Sequence, residues 1–458
     1  MVKYLLIILI LLIPLQAFSE TVSCDGSQSD CQTKITAASD GDIISIDPGT
    51  FNWSTGTTAI SWSNKNITVQ GAGIDKTIIN FADTFTLGFS VTDSTKASFR
   101  ITGMTINALK EGAGGLICFK VDSSASTSEV YGWRIDNVKI NSSATATNKI
   151  TGFVVYGINY GLIDNCQFDG AGFVTVSVAP YVTGEYGITH MGDTAWALPL
   201  DLGTYKAVYV ENCEWNFTSA TQGSVDDLVY GGALVFRYNT VNETYLQTHE
   251  ARLSERGPRK YEIYNNVFAV TNNRGWPMHI LGGTGVIFNN TISGYTNNNI
   301  IVSDPRADGY YDDDAILYGC DGSRAWDGNI EATGWPCLDQ IGRESGSAFG
   351  DAQASEPLYA WSNGDSVIEV QNPYQVGGRD QTLYIKATNH ATQEVTDFVN
   401  GGSTAKAGYT RHTCPHPLAG SGSCDENTAG RGGYRFGNTT LGSGSTFTLG
   451  SGAGFTLQ

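Results

Sequence analysis

The residues whose types and spacing best suit chemistry lie between Thr244 and Lys260. That stretch holds His249, Glu250, Arg252, Glu255, Arg256, Arg259 and Lys260, so four cations fall within nine residues of a chain whose net charge is −18. Cations at that density can neutralise a carboxylate, and the proton on the carbon beside it then becomes acidic. His249 is the natural base to take that proton, or Lys260 if burial lowers its pKa. Tyr245 or Tyr261 is placed to return a proton to a leaving oxygen. The same composition also describes a solvated loop whose Arg and Glu pair with one another.

Three further groups are candidates. The stretch Ser177–Gly203 contributes Tyr181, Glu185, Tyr186, His190, Asp193 and Trp196. A loop that long on a rigid scaffold is where ligand contacts concentrate, and His190 is a second candidate base. Trp196 and Tyr181 serve equally as packing for the loop. Tyr310–Asp314 is a compact source of oxygen ligands, and Asp312, Asp313 and Asp314 are candidates for Ca²⁺, although the spaced ligand pattern of a defined loop is absent. Asp226 or Asp227 with Glu243 offers a carboxylate pair, and His279 reads as a satisfied core or edge histidine.

The elements that position these side chains follow from composition and repeat. Of 458 residues, 55 are glycine and only 16% are charged, whereas 41% are hydrophobic, which excludes coiled coils and disorder and leaves an all-β chain with a large core. The acidic balance argues against a nucleic-acid partner. A six-residue pattern with apolar ends begins at Ile101, Ile135, Ile163, Val210, Phe236, Ile263 and Ile287, in steps of 34, 28, 47, 26, 27 and 24. Short strands stepped at this period predict a parallel β-helix in which each coil covers the next. Its fourth position runs Met104, Val138, Cys166, Cys213, Asn239, Asn266, Asn290. The three asparagines are expected to stack as a structural ladder, and stacking leaves Cys166–Cys213 open to bonding.

Met1–Ser19 reads as a secretory signal peptide, with Lys3, the apolar run Leu5–Ile13 and the Ala17-Phe18-Ser19 cleavage site. The expected localisation is secreted, extracellular or periplasmic, with no membrane insertion after cleavage. Nine cysteines then suggest local pairs, Cys24–Cys31, Cys320–Cys337 and Cys414–Cys424, with Cys118, Cys166 and Cys213 left over as buried thiols. Cys31–Ser39 is expected to form a capping helix. The β-helix is expected over 20–418, followed by a Gly/Ser/Thr-rich tail or small β appendage over 419–458.

The segment Ala37–Thr50, the Asn-Asn coils and the asparagine column resemble the secreted right-handed parallel β-helix proteins of the pectate-lyase-like superfamily, over roughly residues 33–415. That resemblance implies a single-stranded right-handed solenoid with loop insertions on one side. The lyase motifs match in part: Trp133-Arg-Ile-Asp136 lacks the following His, and Arg256-Gly-Pro258-Arg-Lys-Tyr261 ends in Tyr. The hydrolase motifs match less, since Asp226-Asp227 has no Gly-His-Gly turn. The expectation is a carbohydrate-active lyase that cleaves an acidic, uronate-containing polysaccharide. His249, Arg252, Arg256, Arg259 and Lys260 would be catalytic; Tyr181, His190, Trp196, Tyr245 and Tyr261 would bind substrate, with Ca²⁺ as a possible cofactor. The alternatives are a glycan-binding surface protein and a glycoside hydrolase.

Overall fold

The computed structural model describes residues 19–93, 95, 98–108, 114–143, 148–171, 174–185, 191–218, 224–249, 255–271, 274–303, 338–344, 353–371, 385, 387 and 397–420. Arg252, His190, Asp312–Asp314, the Cys320–Cys337 pair, Cys424 and the tail from 421 lie outside them.

The described chain is all-β, built of long parallel sheets consistent with a parallel β-helix. In the first strand series the repeat strands pair in register, Ile101 to Ile135, Ile163, Val210, Phe236, Ile263, Ile287, Ala360 and finally Asn400. A second series follows at the other end of each repeat, in which Phe168, Trp215, Val241, Phe268 and Ile292 stack. A third series includes Asn148–Tyr156, Val174–Ala179 and Asp226–Leu228. Both apolar ends of the repeat therefore point to one interior, where Ile135, Ile163, Phe236, Phe268 and their neighbours are buried. The third repeat position makes the bend between series: Asn137, Asn165, Asn212, Tyr238, Asn265, Asn289 and Ser362 all adopt positive φ. Asparagine tolerates that left-handed conformation better than most side chains, which accounts for its frequency there.

The asparagine ladder forms and extends one step past the expected three. The backbone N–H of Cys213 donates to Asn239 Oδ1, that of Asn239 to Asn266, that of Asn266 to Asn290, and that of Asn290 to Asn363, at 2.9–3.1 Å. Asn363 escaped the sequence pattern because 73 residues separate the paired Ile287 and Ala360. Cys166 and Cys213 are not bonded: both are free, with the Cys166 N–H donating to Cys213 Sγ at 3.4 Å. The stack places a thiol where the later coils carry an amide, and backbone hydrogen bonding holds it. Cys24–Cys31 is a disulfide, and Cys414 is disulfide-bonded. The capping helix spans Gln28–Ala37, three residues earlier than expected, because Ser27 accepts from the Asp30 N–H as its N-cap.

The outer face of the first series is also covered. Tyr209, Val235, Tyr264, Val286, Phe288 and Trp361 form a second apolar cluster, roofed by Leu202, Tyr409 and Leu418. The segment 403–420 runs back over the coils here: Tyr409 donates to Glu262, Arg237 donates to the His412 and Thr413 carbonyls, and Arg134 donates to the Ala419 carbonyl. Gly203 must be glycine, because a Cβ there would lie 1.9 Å from the Thr410 carbonyl of this strap. No helix among the described residues is long and apolar enough to cross a membrane.

Candidate functional site

The two insertions that carry the sequence candidates pack against each other. Met191 and Glu255 form a parallel bridge, and the Arg256 N–H donates to the Met191 carbonyl at 2.9 Å. The fully buried Trp196 donates its indole N–H to the Gly257 carbonyl at 2.9 Å. Its ring is in contact with two guanidinium groups, Arg256 at 4.6 Å and Arg259 at 5.0 Å. Trp196 is thus a packing anchor, with no ring face open to a ligand.

The two arginines differ in what they bond. Arg256 grips Asp339 through Nε and Nη2, both at 2.9 Å, and Asp193 through Nη1 at 2.7 Å, with its side chain fully buried. It ties the segments around 193, 256 and 339 together. Arg259, 3% exposed, has one bond, from Nη2 to the Leu198 carbonyl at 3.3 Å, while Nε and Nη1 are buried without a partner. Burial pushes its guanidinium down to about 10, which still leaves it charged at neutral pH.

Arg259 lines a small pocket with Asn159, Tyr160, Leu198, Lys206 and Lys260, which encloses about 440 Å³ of free space, its open mouth included. Its inner end is narrow and accommodates water-sized groups. The donors are fixed by their surroundings. Trp133 Nε1 donates to Asn159 Oδ1 at 2.7 Å, which turns the amide so that Nδ2 is the free end, buried and without a partner. Lys260 donates to the Asp201 carbonyl at 2.9 Å, and burial pushes its ammonium down to about 8. Burial likewise raises the Tyr160 phenol, so it stays protonated. Lys206 is paired with Glu129 and Asp201, so the donors of the lining without a hydrogen-bond partner belong to Arg259 and Asn159, a donor set that suits an anion.

The remaining candidates stand elsewhere. Tyr261 is fully buried and donates toward the Gly283 carbonyl, so it meets no ligand. Tyr181 packs between Tyr156 and Tyr230, with ring centroids at 5.3 and 5.9 Å. Tyr245 bonds Gln247 and lies 4.4 Å from the Arg274 guanidinium. The His249 N–H donates to the Leu228 carbonyl, and His249 is not among the residues lining the pocket. Asp226 is buried and accepts from the Gln247 N–H, and burial raises its pKa well above the ordinary carboxylate value. Glu243 is engaged by Thr271. His279 is buried against Ser303 at 2.7 Å, as a core histidine would be. Among the described residues no cluster of three or more His, Cys, Asp or Glu is arranged to hold a metal. Sequence reasoning missed Asn159, Tyr160 and Lys206, because they are single residues on a strand start and a loop end with no local motif.

No family model matches the chain, and no curated protein matches it. Among solved structures, an alginate lyase from Paenibacillus sp. str. FPU-7 is similar at a TM-score of 0.29 and 16% sequence identity, covering 59% of this chain and 94% of that one.

Proposed function

We propose that this is an exported, right-handed parallel β-helix protein of the pectate-lyase-like kind that cleaves an acidic, uronate-containing polysaccharide by β-elimination. The observation that carries the reading is the Arg259 guanidinium, buried and charged with two unpartnered nitrogens beside a narrow pocket. A buried charge with no hydrogen-bonded carboxylate destabilises the fold by several kcal/mol on the scale of ion desolvation; Glu344 and Asp339 nearby offset part of this, and an anion is the ligand that offsets the rest. A carboxylate fits the narrow inner end, while the sugar ring that bears it remains at the mouth.

In that pose the Arg259 guanidinium and the Asn159 amide, which line the pocket, draw negative charge away from the carbon beside the carboxylate. Lys260, with its pKa near 8, has a substantial neutral fraction just above neutrality and takes the proton from that carbon. The bond to the β-oxygen breaks as the carbon–carbon double bond forms, and Tyr160, protonated at neutral pH, supplies the proton to the departing oxygen. The roles first considered for His249 and Tyr261 pass to Lys260 and Tyr160, which share the pocket. A hydrolase reading draws less support, because Glu243, the second carboxylate it would need, is already engaged by Thr271.

The test is ultraviolet absorbance of the purified protein against a panel of uronate polymers. A rise that is lost in Arg259→Met and in Lys260→Met supports elimination at this pocket. A flat trace across the panel, with acidic oligosaccharides still bound, would leave a glycan-binding protein.

A further inference from the structure

Beside the pocket stand two exposed aromatic residues that the reading above leaves unused. Among the described residues, Tyr131 and Tyr205 are the exposed aromatic side chains, at 37% and 39% exposure, and they touch each other with ring centroids 4.8 Å apart. Tyr160 pairs with Tyr131 in register on the neighbouring strand and lies 6.5 Å from Tyr205, ring to ring. Tyr160 also lines the pocket, so the aromatic group and the donor group share a wall.

The backbone places these rings with some cost. The pairing register shifts between Tyr131 and Trp133, a bulge around Gly132, whose φ is +124° and whose added Cβ would meet Ser98 Oγ at 2.9 Å. Bulges re-aim side chains beside functional sites. The loop that carries Tyr205 is tied down on the same side: Lys206 Nζ pairs with Glu129 Oε1 at 3.0 Å and with Asp201 Oδ2 at 3.2 Å. Tyr209 donates to the Thr204 carbonyl beneath it. Two exposed rings held from both sides present apolar faces to solvent with little freedom left to lose on binding.

We propose that Tyr131 and Tyr205, backed by the buried Tyr160, form a stacking subsite for the sugar ring adjacent to the one whose carboxylate enters the Arg259 pocket. The inference rests on the pocket reading. Its ligand is therefore an acidic oligosaccharide of at least two residues, gripped at one ring by charge and at the next by an apolar ring face.

Binding is measured by titration calorimetry with a short uronate oligomer, with a neutral oligosaccharide of equal length, and by NMR titration with the free monouronate. Tyr131→Ala and Tyr205→Ala are expected to weaken the oligomer about tenfold, on the order of one aromatic contact, and to leave the monouronate unchanged. Tyr131→Phe and Tyr205→Phe, which keep the ring, should bind the oligomer as the parent does. Arg259→Met is expected to lose oligomer and monouronate alike, and the neutral oligosaccharide should bind weakly throughout. If both alanine variants bind the oligomer like the parent while Arg259→Met has lost it, the subsite is overturned and the pocket stands. If Arg259→Met still binds both acidic ligands, the pocket reading falls, and the subsite's place beside it falls too. Unchanged melting temperatures of the tyrosine variants separate these outcomes from misfolding.

Discussion

Replacing Arg259 by methionine should cost acidic-glycan binding and little or no stability, an unusual result for a buried arginine. Burial lowers its guanidinium from 12.5 to about 10, and at about 1.4 kcal/mol per pH unit that is roughly 3 kcal/mol spent holding the charge in place. Methionine keeps the apolar stem but gives up the cation–π contact with Trp196, worth about 1–2 kcal/mol, and the bond to the Leu198 carbonyl, worth about 1 kcal/mol. The net is between zero and about 1 kcal/mol of stabilisation. Unfolding entropy near 2.1 cal/mol/K per residue gives a chain of this size roughly 1 kcal/mol/K, so the melting temperature should stay level or rise by about 1 °C. Arg256→Met is the matched comparison, because it strips the partner from Asp339 and Asp193 and should lose about 3–5 kcal/mol, or about 3–5 °C. Scanning calorimetry of both variants decides the matter. The reasoning is refuted if Arg259→Met falls as far as Arg256→Met, since Arg259 would then be a paired structural cation. A second check uses a uronate oligomer at about a hundred times its Kd, which should stabilise the parent by roughly 2.7 kcal/mol and the Arg259→Met variant not at all.

Three further outcomes follow from other residues. Lys260 is held near 8 in the fold against 10.5 when free; between those values the unfolded chain binds more protons, so stability should climb by roughly 3 kcal/mol as pH rises through that window. Lys260→Met should flatten that slope in denaturant titrations, and an unchanged slope would assign it to other groups. Asn266→Ala removes an acceptor for the Asn239 N–H and donors to Asn290 and to the Phe236 carbonyl, all buried. It should destabilise by about 2–4 kcal/mol in the same assay, whereas a change under 1 kcal/mol would mean the ladder is replaceable by water. Cys118, Cys166 and Cys213 are buried thiols, and burial raises the pKa of Cys118 and Cys166. They should resist a thiol reagent in the native protein and react on unfolding, as read by mass spectrometry of the labelled peptides.

The sequence by itself determined the stacking of parallel strands. A repeat with apolar ends and an Asn or Gly at its bend can bury its faces only by stacking, so Ile135, Ile163 and Phe236 had to share one interior, and Asn239, Asn266 and Asn290 had to fall in one column. Spacing could not foresee where the column ended, because the chain returns at Asn363 only after a long excursion. Likewise, Arg256 and Arg259 are indistinguishable as residues of one basic run. The tertiary structure separates them: Asp339 and Asp193 come from distant segments to saturate one, and none of their oxygens hydrogen-bonds the other, which feels Asp339 only at longer range. Charge pairing is a property of distance in space, and a local sequence contains no such distance. The same holds for Asn159, whose free donor exists because Trp133 holds its oxygen, and for Lys260, whose lowered pKa is the consequence of burial beneath an insertion some sixty residues earlier in the chain. Repetition specifies a fold through nearest neighbours, whereas the site is made by segments the chain brings together once.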